Sequence, residues 1–322
     1  MNEKTKLVLV ALPLTEEQKR QYEAAAPHWR FIFQGPEAIH RDLAREAQII
    51  IGNLPPRLVQ DSPNLEWLQL SYAGADAFLV PGTLPRQVLL TNASGAYGLA
   101  VSEHMVGLVF QLKKKLHLYR DNQGKGLWRD EGPVSAVRGS RVLVIGPGDI
   151  GGCFARSMKA LGCRVTGLRR RELPCPDYLD EVYLIDKLDE LLPAADIVAI
   201  AAPGGPGTKG MFGEKQFSRM KPSAILVNVG RGSIVDTDAL CRALEGGKIF
   251  GAALDVVDPE PLPADHPLWR LPGAVITPHS SGGYHLTQTR DSIVEICLEN
   301  LKVYAAGGSP ANIVDRGLGY RA

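Results

Sequence analysis

Short apolar runs alternate, almost throughout the chain, with longer stretches whose apolar residues recur at three- and four-residue steps. The runs fit strands covered on both faces and the stretches fit amphipathic helices, so the alternation predicts βαβ units around parallel sheets. Two series stand out. The first has strands at Lys6–Ala11, Phe31–Phe33, Ile49–Ile51, Trp67–Leu70 and Val88–Leu90, with Pro/Gly-rich connections such as Asn53–Pro56 and Pro81–Pro85. The second follows a long predicted helix, Leu99 to about Asp121, on which Val101, Met105, Leu108, Val109 and Leu112 mark one apolar face. Its strands are Arg141–Ile145, Arg164–Leu168, Ile197–Ile200, Ile225–Asn228, Gly251–Asp255 and Val275–Thr277. A last helix, about Leu286–Ala305, leaves a tail whose apolar face can return to the first series.

Composition narrows this picture. A length of 322 residues suits two domains of about 100–200 residues each. A net charge of +1 and 45% hydrophobic residues indicate neither disorder nor a polyanion partner, so nucleic acid is not the expected ligand. Cys153, Cys163, Cys175, Cys241 and Cys297 form no C-x-x-C pair and no zinc-like cluster, which predicts no metal site and a reducing, cytoplasmic setting. The N-terminal run Met1–Leu14 reads as a first strand rather than a secretory leader. No stretch approaches the roughly 20 apolar residues that span a bilayer.

The strand Val142–Ile145 runs into Gly146-Pro-Gly148-Asp149-Ile150-Gly151 and then a helix through about Leu161. In a G-x-G-x-x-G turn the first glycine permits the tight turn, the second lets backbone approach a pyrophosphate, and the third allows helix and sheet to pack closely. The phosphates then face the helix N-terminus, where Asp149 and Ile150 begin the first turn. Such a fingerprint is specific only in context, and here a strand precedes it and a helix and second strand follow. At the end of that second strand an NAD site usually has an acid for the ribose 2′-hydroxyl. This chain has Arg169, Arg170 and Arg171 instead. Guanidiniums there suit a 2′-phosphate, so NADPH is the expected cofactor, with NADH as the alternative.

Three later segments follow successive strands: Asn228-Val229-Gly230-Arg231-Gly232, Asp255 through Pro263, and Thr277-Pro-His279. Ligands of open α/β sheets lie outside such strand ends. Reducing a 2-oxo acid requires a cation for its carboxylate, a proton donor for its carbonyl oxygen and a group that keeps that donor protonated. Arg231, His279 and Glu260 meet those three requirements.

Together the stretches Leu70–Asp76, Thr91–His104, the glycine fingerprint, Val227–Gly232, Ala253–Pro263 and Ile276–His279 resemble the D-isomer-specific 2-hydroxyacid dehydrogenase family over nearly the whole chain. The arginines after the second strand resemble its NADP-using glyoxylate/hydroxypyruvate reductase branch. The resemblance implies a Rossmann-type doubly wound parallel sheet, residues 99–285, inserted into a smaller flavodoxin-like α/β substrate domain, residues 1–98 and 286–322. It implies an active site in a cleft between the two, in which Arg231 binds the substrate, His279 is the acid/base and Glu260 is its partner. Backbone N–H groups of Gly74 and Ala75 become a second carboxylate anchor. Ala202, Pro203, Thr208, Val229, Gly230, Asp255 and His279 fall beside the cofactor. A homodimer through the dinucleotide domain follows, to which the apolar face of Leu99–Leu118 contributes, and so does D specificity where the product is chiral.

Two positions depart from the family pattern. After Ala202-Pro203 the chain has Gly204-Gly205-Pro206-Gly207 before Thr208, which leaves that loop's contacts open, and Pro147 removes one backbone donor from the fingerprint. A redox-sensing corepressor of the same fold and a family member acting on another substrate, such as phosphoglycerate, remain the alternative readings. Side-chain specificity is expected from loops around Asn53, Leu54, Tyr72 and Tyr97.

Overall fold

The computed structural model describes residues 5–60 and 62–321, so Met1–Lys4 of the N-terminal run lie outside the described residues. The chain divides into two compact units, residues 1–96 with 283–322 and residues 97–282. The sequence reading had set these boundaries at 98/99 and 285/286.

The discontinuous unit holds β1 (Leu7–Val10), β2 (Arg30–Phe33), β3 (Ile49–Ile51), β4 (Trp67–Gln69) and β5 (Leu89–Thr91). They form one parallel sheet in the order β2-β1-β3-β4-β5, which is the flavodoxin-like arrangement. Val8, Leu9, Val10 and Ile49–Ile51 are fully buried, as strands covered on both faces must be. The helix Thr287–Ala305 belongs to this unit and is tied to it by polar bonds as well as packing. The Tyr22 hydroxyl donates to Val294 O at 2.9 Å, and Asn300 Nδ2 donates to Gln69 Oε1 at 2.7 Å. The tail then returns to the sheet: Asn92 N–H bonds Asn312 O, and Arg316 donates to the carbonyls of Leu84 and Val88. Its short hairpin, Val314–Asp315 with Tyr320–Arg321, was not anticipated.

The continuous unit holds β6 (Arg141–Ile145), β7 (Arg164–Arg169), β8 (Glu181–Leu184), β9 (Ile197–Ile200), β10 (Ile225–Asn228), β11 (Gly251–Leu254) and β12 (Ala274–Ile276). All pairs are parallel, in the order β12-β11-β10-β9-β6-β7-β8. Strand order reverses between β6 and β9, the switch point of a Rossmann-type sheet. Strand β8 was missed because it is an edge strand of mixed polarity, none of whose four residues is fully buried.

The predicted helix from Leu99 to Asp121 is two helices, Gly98–Lys113 and Leu116–Gly124. Between them Lys115 adopts φ 58°, a left-handed conformation in which a side chain is disfavoured and which glycine usually fills. Apolar periodicity on both sides of the break concealed it. The first helix lies against Asp149–Ala160 so closely that a Cβ on Gly98 would stand 2.7 Å from Cys153 Sγ.

Candidate active site

The fingerprint glycines of the continuous unit divide their work as the sequence implies. Gly146 leaves β6 with φ +83°, and a Cβ there would meet Ala202 Cα at 2.8 Å. Gly151 faces Gly146 O, with 2.3 Å for a Cβ, so only hydrogen fits between helix and turn. Gly148, which caps the helix Asp149–Ala160, has nothing within 4 Å of its Cβ direction. That open space lies beside first-turn N–H groups, at Asp149, Ile150 and Gly151, which no helical carbonyl can satisfy. A dinucleotide pyrophosphate fits such a cradle.

At the carboxyl end of β7, Arg169 is half-buried and donates to Pro174 O at 3.3 Å, while Arg170 and Arg171 are exposed. Partial burial, and then the neighbouring Arg171, hold the Arg170 guanidinium below its ordinary pKa. After β9, Ala202 is buried and Thr208 is 6% exposed. The Thr208 hydroxyl is turned into its own loop, 3.0 Å from Pro203 O and 3.3 Å from Gly205 O, so it braces the Gly204–Gly207 turn.

The loop after β10 is held by Asn228, whose Oδ1 accepts from Gly230 N–H and whose Nδ2 donates to Arg231 O. Val229 is buried. Gly230 and Gly232 let neighbouring backbones touch: a Cβ would come within 2.5 Å of Ala202 O at the first and 1.9 Å of Val257 O at the second. The loops after β9, β10 and β11 thereby pack backbone to backbone. Arg231 sits between the two glycines, half-buried, with Nη1 donating to Gly230 O at 2.7 Å.

His279 follows β12, and its Nδ1 lies 2.9 Å from Glu260 Oε2. A carboxylate can only accept, which places the proton on Nδ1 and leaves Nε2 as the nitrogen that can exchange one. Glu260 is itself oriented, its Oε1 accepting from Val257 N–H at 3.1 Å. The His279 side chain is 53% exposed and that of Glu260 38%, so the pair is open to a small ligand.

Asp255, which the resemblance puts beside the cofactor, has its carboxylate hydrogen-bonded within the protein. Oδ1 accepts from the Thr277 hydroxyl at 2.6 Å and Ser280 N–H at 3.0 Å, and Oδ2 from the Ser281 hydroxyl at 2.5 Å and Ser281 N–H at 3.2 Å. Burial alone would push this carboxyl up, but those four bonds hold it below the usual range. Asp255 O also accepts from His279 N–H at 2.8 Å, which holds His279 at φ 51°. His104 completes the cluster, with Nε2 3.1 Å from Thr277 Oγ1. Asn228, Thr277, Ser281 and His104 were not singled out from sequence. The polar run Thr277-Pro-His-Ser-Ser beside a buried aspartate was the only signal.

Gly74 and Ala75 belong to the other unit, in the loop after β4. Asn53 Oδ1 accepts from Ser71 N–H at 3.1 Å and Asn92 Nδ2 donates to Ala73 O at 2.6 Å, so this loop is tied down at both sides before the short helix Asp76–Leu79.

The profile of the D-isomer specific 2-hydroxyacid dehydrogenase NAD binding domain matches residues 106–281, more than half of the chain. The chain belongs to the D-isomer specific 2-hydroxyacid dehydrogenase family. This dehydrogenase is 31% identical over 290 residues to glyoxylate/hydroxypyruvate reductase B of Klebsiella pneumoniae, covering 87% of its own chain and 89% of the reductase. The crystal structure of a D-isomer specific 2-hydroxyacid dehydrogenase family protein from Aeromonas salmonicida is similar to it with a TM-score of 0.84 and 32% identity, over 97% of this chain and 100% of that one. A Xanthobacter autotrophicus D-isomer specific 2-hydroxyacid dehydrogenase, solved in complex with NADPH and MES, gives 0.81 at 25% identity over 98% and 100% of the two chains. The chain is therefore an NAD(P)-dependent oxidoreductase that interconverts 2-oxo and 2-hydroxy acids. Among the described residues no helix is long and apolar enough to cross a membrane.

Proposed function

We propose that this dehydrogenase reduces short 2-oxo acids of the glyoxylate and hydroxypyruvate class, preferentially with NADPH, and forms the D isomer where the product is chiral. The observation that carries this reading is the His279–Glu260 pair at 2.9 Å, with Nε2 left for a substrate. The bound dinucleotide supplies the hydride. His279 gives its Nε2 proton to the carbonyl oxygen as C2 is reduced, and Glu260 keeps the ring oriented. Arg231 binds the substrate carboxylate, and the N–H groups of Gly74 and Ala75 provide its second anchor. The discontinuous unit is then the substrate domain and the continuous unit the dinucleotide domain.

The first-turn N–H groups of Asp149–Gly151 hold the pyrophosphate, and the segments Ala202–Pro203, Thr208 and Val229–Gly230 line the cofactor. Asp255 acts there through the backbone it fixes. Arg169 and Arg170 receive the 2′-phosphate, whose negative charge offsets the repulsion between Arg170 and its neighbour Arg171. The NADPH bound to the Xanthobacter relative supports this choice. We assign the protein to the cytoplasm, in keeping with its five free thiols, and expect a homodimer through the dinucleotide domain.

Cofactor oxidation with glyoxylate, hydroxypyruvate, pyruvate and longer 2-oxo acids, run in parallel with NADPH and NADH, tests the reading. Turnover of glyoxylate or hydroxypyruvate with a higher kcat/KM for NADPH is the expected result. No oxidation with any 2-oxo acid would refute it.

A further inference from the structure

His104 ends the family-like stretch Thr91–His104 and takes no part in the reaction as proposed. Register sets its place in the fold. At the start of β11 a Cβ on Gly251 would stand 3.0 Å from Leu112 Cδ2, so the missing side chain lets the end of the helix Gly98–Lys113 settle there. The residues from His104 to Leu112 rise about 12 Å along the helix, and Gly251 to Asp255 spans about 13 Å of strand. Running opposite to β11, the helix therefore brings His104 to the strand's carboxyl end, with Nε2 3.8 Å from Asp255 Oδ1.

The hydrogen bonds at that end have a fixed direction. A carboxylate only accepts, so the Thr277 hydroxyl spends its single proton on the 2.6 Å bond to Asp255 Oδ1. Thr277 Oγ1 can then only accept from His104 Nε2, 3.1 Å away, which requires the proton of the neutral ring to sit on Nε2. The same carboxylate accepts from Ser280 N–H, Ser281 N–H and the Ser281 hydroxyl. His279 N–H is shared between Asp255 O at 2.8 Å and Thr277 O at 3.0 Å. His279 thus stands on a turn hung from Thr277 and Asp255, at φ 51°. A left-handed backbone at a residue with a side chain is unfavourable by itself and persists only where its surroundings hold it.

We propose that His104 is a positioning residue for the reaction: its Nε2–H, acting through the Thr277 hydroxyl and the Asp255 carboxylate, fixes the turn Thr277–Ser281 and with it the imidazole of His279. His104 exchanges no proton with the substrate. The assignment rests on the proposed function, because it takes His279 as the acid/base. Without the Nε2–H, Thr277 Oγ1 loses its donor and its hydroxyl is no longer held in the one rotamer that serves Asp255.

The test compares kcat with hydroxypyruvate and KM for NADPH in the wild type, His104→Phe, His104→Gln, Thr277→Val and the double variant of His104→Phe with Thr277→Val. Melting temperature serves as the check of folding. Phenylalanine keeps a ring and removes the donor, whereas the glutamine amide can place an N–H where Nε2 stands. Small misplacements of a reacting group are costly, so His104→Phe should lower kcat about tenfold while KM for NADPH stays nearly unchanged. His104→Gln should restore most of the lost kcat. In the Thr277→Val background His104→Phe should cost nothing further, because its effect passes through that hydroxyl. Wild-type kcat in His104→Phe, no rescue by glutamine, or losses that multiply in the double variant would overturn the proposal. Nitrogen-15 NMR of the ring, assigned by the signal that His104→Gln lacks, separates this from failure of the functional reading. The neutral ring should carry its proton on Nε2, and a proton on Nδ1 would overturn the chain of bonds whatever the turnover. An Nε2–H ring in a wild type that reduces no 2-oxo acid would reject the reaction, and the catalytic role of His104 with it, and leave the chain of bonds standing.

Discussion

A carboxylate as buried as that of Asp255 would ordinarily be driven towards its neutral form, and four hydrogen bonds reverse the preference. The folded-state pKa is depressed, so this group's contribution to stability is present above the ordinary 3.8 and is lost as pH falls through the lower folded value. Asp255→Asn should therefore cost about 2–3 kcal/mol near neutral pH, the scale of one or two hydrogen bonds to a charge. The loss should shrink below about pH 3.8, as read from urea unfolding of the two proteins across the acid range. A constant difference at every pH would mean that shape rather than charge holds the loop. Arg231 is tested differently. Arg231→Lys keeps the charge and removes the planar fork, so KM for the 2-oxo acid should rise about tenfold or more while cofactor affinity stays, and an unchanged KM would place the guanidinium outside the site. Arg231, Glu260 and His279 were legible in the sequence because each follows a recognisable strand and carries chemistry by itself. Asn228, Thr277, Ser281 and His104 were not, because an amide, a hydroxyl or a helix histidine takes on its function only from partners many residues away.

Most strands were read from sequence to within a residue or two, since runs such as Ile49–Ile51 and Ile197–Ile200 are unbroken apolar stretches that only a doubly covered sheet can bury. Reading failed where the local signal was absent: at the mixed edge strand Glu181–Leu184, and at Lys115, where no glycine announced the helix break. At the end of β7 one short stretch is expected to decide cofactor choice. Replacing Arg169 and Arg170 by alanine should weaken NADPH binding by about 2–4 kcal/mol, given roughly 1.5–3 for each hydrogen bond to a charged group and incomplete additivity. NADH binding should change little. Titrations of both cofactors at one ionic strength check this, because salt screens exposed phosphate contacts. Equal losses would show that the arginines support the strand end instead.

At the scale of the molecule, the face marked by Val101, Met105, Leu108, Val109 and Leu112, expected at a dimer contact, is buried, and the exposed apolar side chains just after it are the candidates that remain. Leu116 is 52% exposed, Leu127 47%, and Trp128 projects entirely into solvent. Side chains of this kind are expected at a subunit interface, and a homodimer would cover them. Leu127→Ser combined with Trp128→Ser should shift the protein towards monomer in sedimentation velocity, and an unchanged dimer would move the interface elsewhere. The central claim concerns proton transfer by one histidine. Its most direct test is kcat with glyoxylate or hydroxypyruvate at saturating NADPH for His279→Ala against the wild type, with NADPH affinity titrated on the same samples. The account predicts a fall in kcat of about 10²–10⁴-fold with cofactor affinity nearly unchanged. Wild-type kcat in His279→Ala would contradict it.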